Sequence, residues 1–365
     1  MTAAFPLASA LPTVLHPAQF LGTVVATTVG TARFGAPWTP SDLLDDPGFR
    51  QGIQAGLLAL VIVIAVATLV PRPPRWRGCV LPLAGIATAV ATLVALDRTG
   101  PRALMSHQLR VGLVLLLVGP FAVVWALARW HGAWWVALAG ALAAIPGAVG
   151  VGRAAELQNH TAGMPTLVVV STVVGGLLVA DFDDATARAG LSPVLFAVAV
   201  LGMYATLPDT EQTSVLVGVA LPLAFVGWPA ARARLGPGAY AAVGLVGWVA
   251  AVGGRGRPGS VVGAIACLGV MLGEPLARRL WRGAARVPRH PLAWRTVFLV
   301  LLQFGVVMVA SRVAGLETSA RAAGALSLVA LGLAVAGSAI VLAPWDRDKP
   351  ADSSATRQRQ REFNS

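Results

Sequence analysis

The chain of 365 residues is 56% hydrophobic and only 12% charged, with a mean hydropathy of +0.73. A soluble domain carries about 25% charged residues, so this composition leaves too little polar surface to face water and argues against a soluble enzyme. The formal charge of +12 does not point to nucleic acid either, because most of the arginines stand in short links between apolar runs, where the orientation signals of membrane proteins belong.

Residues 1–49 read as an N-terminal outer segment. The first basic residue is Arg33, so the charged start of a secretory signal peptide is not expected. Within this segment "PAQFLGTVVATTVGTARFG", residues 17–35, is mildly apolar and reads equally as a spanning helix, a re-entrant segment or a surface helix. The following "APWTPSDLLDDPGF" places Asp42, Asp45 and Asp46 outside in every case.

Residues 50–343 read as the membrane domain. Apolar runs of spanning length predict helices at 50–70, 79–97, 109–129, 133–151, 164–181, 191–207, 213–230, 237–253, 260–277, 293–314 and 322–343. The runs do not alternate as barrel strands do. The expected fold is therefore an all-α, polytopic transmembrane bundle of about 11 spans, or 12 if residues 17–35 also cross. Residues 344–365 are polar and read as a disordered cytoplasmic tail.

Orientation follows from the basic residues. With residue 1 outside, the links and tail on the inner side carry seventeen Lys and Arg and the outer links ten, which favours a cytoplasmic C-terminus. Seven tryptophans near inner helix ends agree with an interfacial belt. Two segments also share a spacing: Pro120, Arg129 and Arg153 in one, Pro222, Arg232 and Arg255 in the other. That reads either as a parallel repeat, as in some transporters, or as the ordinary likeness of Arg-flanked hairpins.

The outer links gather most of the candidate chemistry. "GMYATLPDTEQTS", residues 202–214, puts Asp209 and Glu211 in a tight link. Either they cap and stabilise the start of the next helix, or they serve as a catalytic pair. Asp45, Asp46, Glu156, Asn159 and His160 fall on the same side, with Arg98, Arg102, His107 and Arg110. Carboxylates and arginines converging there could bind a charged head group. On the inner side "DFDDATAR" groups Asp181, Asp183 and Asp184, a solvated turn or a set of oxygen ligands.

Inside the apolar runs two polar residues stand out. Glu274 has Arg278 four positions on, and an i,i+4 pair accounts for it. Gln303, near the middle of "FLVLLQFGVV", is expected to make an interhelical hydrogen bond. Gly269 and Gly273 form a GxxxG that suits close packing, and Pro120, Pro146 and Pro222 are expected to kink their helices.

No cofactor or metal is expected. The two cysteines, Cys79 and Cys267, are far apart and have no zinc spacing. "GAVGVGR" and "GGRGRPG" follow no strand and lack a Walker lysine, and no Gly-x-Ser-x-Gly elbow is present.

Three function classes remain open. The first is a non-catalytic binding or assembly component of the cell envelope, in the cell membrane. The second is a transporter or lipid flippase. The third is an enzyme using a lipid-linked substrate at the outer face, since "SDLLDDPGF" is loosely similar to the acidic early outer loop of multi-pass glycosyltransferases that use polyprenyl-phosphate sugars. The expected partners are membrane lipid and either a lipid-linked precursor or other envelope proteins, with no nucleic acid.

Overall fold

The computed structural model describes residues 40–69, 91–92, 107–127, 133–159, 163–187, 189–204, 207, 211–228, 234–253, 258–280, 294–315 and 320–342. The possible extra span at 17–35, most of the expected helix at 79–97 and the tail lie outside the described residues.

The helices follow the apolar runs. In chain order they are α1 (Pro40–Asp45), α2 (Pro47–Leu69), α3 (His107–Leu127), α4 (Ala133–Asn159) and α5 (Met164–Ala185). Then come α6 (Leu191–Tyr204), α7 (Glu211–Gly227), α8 (Gly238–Gly253), α9 (Pro258–Ala266), α10 (Gly269–Leu280), α11 (Trp294–Gly315) and α12 (Ala320–Leu342). Within α5, residues Ser171–Gly175 take one π-helical turn.

The expected number of spans is corrected. Among the described residues three helices are long and apolar enough to cross a membrane, over His107–Val124, Trp135–Leu157 and Met164–Ala185. A fourth is added if the bent pair α9–α10 is one span. The protein is thus α-helical with a few membrane-spanning helices among the described residues, not the 11 or 12 expected. Length explains part of the difference: α6, α7 and α8 run 14, 17 and 16 residues, and at 1.5 Å per residue the longest of them reaches about 26 Å, short of the roughly 30 Å of hydrocarbon. The expected run at 191–207 is also longer than α6, which spans Leu191–Tyr204.

Burial separates centre from periphery. Every residue of α6 and of α8 is buried, so these two helices form the middle of the bundle. α2, α3, α11 and α12 expose rows of large apolar side chains, among them Leu57, Leu58, Val61 and Ile62 on α2 and Leu328, Val329 and Leu333 on α12. Such rows are costly in water and fit hydrocarbon.

Small residues set the closest contacts. Gly112 of α3 lies where a Cβ would come 2.7 Å from Val151 N, and Gly119 where it would come 2.8 Å from Ala143 O, so α3 and α4 pack backbone to backbone. Gly273 likewise meets Ala334 of α12, as the GxxxG spacing suggested. The two segments of similar spacing are not equivalent in space: α3 and α4 pack along their lengths, whereas α7 meets α8 only slightly and packs on α2 and α6.

Candidate functional site

Three polar arrangements interrupt this apolar bundle. The first joins the starts of α2 and α7. Asp46 precedes α2, and its Oδ1 accepts from Gly48 N–H at 2.7 Å and Phe49 N–H at 3.3 Å. It therefore caps the orphan donors of the first turn. The same oxygen accepts from the Ser214 hydroxyl at 3.1 Å, in the first turn of α7. The two helices then run parallel: Gly48 faces Ser214, Gly52 faces Val215 and Gly218, and Gly56 faces Val219 and Pro222. Both helix starts, each with its partial positive charge, thus lie side by side around one carboxylate.

The second arrangement ties together three segments that are distant in sequence. α5 closes on Thr186, whose N–H and hydroxyl both bond to Phe182 O, at 2.9 and 2.8 Å. That closure leaves Asp183 buried and turned to the α7–α8 link. Its Oδ1 accepts from Leu235 N–H at 3.1 Å, and its Oδ2 from Gly236 N–H at 2.9 Å and Arg234 Nε at 3.3 Å. Gly236 has φ 51, a left-handed turn that suits glycine. Arg234, itself buried, also donates to Asp183 O and to Asp184 Oδ1 at 3.1 Å. Asp181 binds the end of α10, accepting on Oδ2 from Arg278 at 3.3 Å and Arg279 at 3.2 Å.

The third arrangement is the break between α9 and α10. These helices meet at 62° across Cys267 and Leu268. Gln303, fully buried in mid-α11, accepts from Val270 N–H at 2.9 Å and donates to Cys267 O. One turn further, Glu274 is fully buried and its Oε1 accepts from Arg278 Nε at 2.7 Å.

The positions singled out by sequence distribute as follows. Asp46 is engaged as a helix cap, and Asp45 pairs with Arg50 at 2.9 Å on the exposed surface. Glu211 is the first residue of α7, whose first turn meets Asp46 through Ser214. Asp209 and His160 lie outside the described residues. Glu156 falls not in a link but in α4, which runs to Asn159 rather than stopping at 151. Glu274 makes the expected i,i+4 pair, and Gln303 the expected interhelical bonds. Pro120, Pro146 and Pro222 each sit inside a continuing helix, while the 62° bend falls at Cys267–Leu268.

Asp183 is neither a solvated turn nor an open ligand, since backbone donors and Arg234 take both its oxygens. Among the described residues no three His, Cys, Asp or Glu side chains are grouped to hold a metal ion. Sequence reasoning missed Ser214, Arg234 and the Gly48, Gly52 and Gly56 stripe. The stripe had a legible signal, a glycine every fourth residue at a helix start. Arg234 had none, because one more arginine in an Arg-rich link looks like an orientation signal. No known protein family and no curated protein matches this sequence.

Proposed function

We propose that this protein is a non-catalytic binding or assembly component of the cell envelope membrane. The observation that carries this reading is how the carboxylates are used. Asp181, Asp183 and Asp184 are engaged by Arg234, Arg278 and Arg279, and Asp46 by two helix starts. Groups held this way fix helices relative to one another and are poorly placed to take up a substrate proton or a head group. The apolar faces of α2, α3, α11 and α12 offer lipid and other membrane helices a broad surface. The test is complementation of a deletion of its gene in the native host by Asp209→Asn with Glu211→Gln. Retained growth supports the assembly reading. Lost growth with normal folded yield contradicts it and favours an enzyme acting on a lipid-linked substrate.

A second reading, transporter or lipid flippase, is favoured by the α9–α10 break, since discontinuous helices build the substrate sites of many transporters. Uptake or lipid-scrambling activity in vesicles holding only the purified protein would establish it.

A further inference from the structure

In an unbroken helix Val270 N–H would donate to Ala266 and Cys267 O would accept from Met271. At the 62° bend the side-chain amide of Gln303 takes both places, as acceptor and as donor. The site is buried, so removing that amide leaves a peptide donor and a peptide acceptor with no water to turn to. One amide from α11 thus bridges both lips of the break.

The far end of α10 carries a second fastening. Arg278 and Arg279 hold Asp181 of α5, and Arg278 also holds Asp181 O. Between the two fastenings α10 presents Gly269 and Gly273 to Val306 and Ala334, a face with few projections. Pro275 lies next to a side-chain group this arrangement leaves unmet: Glu274 Oε2 is buried and has no hydrogen-bond partner. An unpaired buried carboxylate oxygen marks a place where the packing seen here does not satisfy every group.

We infer that α10 is a hinged half-helix, bolted by Gln303 at Cys267–Leu268 and by Asp181 at its other end, and that it swings as a unit when these fastenings release. Motion of one packed element about a short break is a common form of conformational change. The inference is independent of the assembly and transporter readings, because it concerns only how α10 is held.

Cys267 supplies the readout, since it is buried at the hinge. With Cys79→Ala it is the one thiol of the chain, and its N-ethylmaleimide labelling rate in native-membrane vesicles reports hinge opening. Gln303→Leu is expected to raise that rate by about tenfold or more, given the two bonds it removes. The pair Arg278→Gln and Arg279→Gln leaves Gln303 intact and lies about three turns from Cys267. It is expected to raise the rate as well, which a purely local role for Gln303 does not produce. Gly52→Ala, at the α2–α7 contact, serves as a measure of general loosening. The inference is overturned if the arginine pair leaves the rate unchanged, or if Gly52→Ala raises it as much as Gln303→Leu does. Should Gln303→Leu not accumulate, the arginine pair decides the question alone.

Discussion

Ser214 donates its hydroxyl to Asp46 at 3.1 Å across 168 positions of sequence, and this bond fixes the starts of α2 and α7 beside each other. The carboxylate is at once a helix cap and an interhelical tie. Neither task needs a substrate, and together they explain why an acid stands at this end of an apolar bundle.

Removal of that acid is expected to cost stability. Asp46→Ala loses the cap and the Ser214 bond, together about 1–2 kcal/mol. Asp46→Asn keeps a side-chain acceptor and is expected to lose less. Thermal unfolding of both variants in one detergent checks the order; an Asp46→Ala midpoint equal to that of the wild type would contradict the role.

The parallel α2–α7 contact makes a sharper prediction. A Cβ at Gly52 or Gly218 would press on the backbone of the other helix, Val215 O in one case and Phe49 O in the other. Gly52→Ala and Gly218→Ala should each destabilise by about 1–3 kcal/mol. Gly305 and Gly332 have nothing within 4 Å of the same added atom. Alanine there should be neutral or slightly stabilising, because it favours the helix. Four midpoints measured side by side test the contrast.

Asp183 and Arg234 form a buried, hydrogen-bonded pair, with side chains 2% and 6% exposed. Breaking such a pair from one side leaves a charge without its partner, at about 3–5 kcal/mol. Arg234→Gln is expected to fall in that range, Asp183→Asn to cost less because Arg234 keeps Asp184, and the double variant to lose less than the sum. Additive losses in the double-mutant cycle would show that the two side chains do not act as a unit.

Much of the helix placement was legible because hydropathy reports where apolar residues accumulate. α8 and α11 begin and end within a residue of where their runs do. Hydropathy does not report where a helix bends inside an apolar stretch: Cys267–Leu268 breaks a run that contains no proline at the bend, and Gln303 of α11 takes up backbone groups freed there.

The polar positions divide in the same way. Glu274 and Gln303 were recognisable because a polar residue inside hydrocarbon needs a partner, and each has one. Asp183 was misread as local because its partner, Arg234, is 51 positions away. Spacing reveals contacts within one helix and is silent on contacts that only the assembled bundle creates.

In the assembly reading proposed above, this protein works by binding other components of the envelope membrane. Native mass spectrometry of the protein extracted gently from its own membranes tests it most directly. A protein partner in fixed stoichiometry that survives Asp209→Asn with Glu211→Gln is the expected result. A co-purifying lipid-linked sugar, with no protein partner and lost in the same variant, would contradict it.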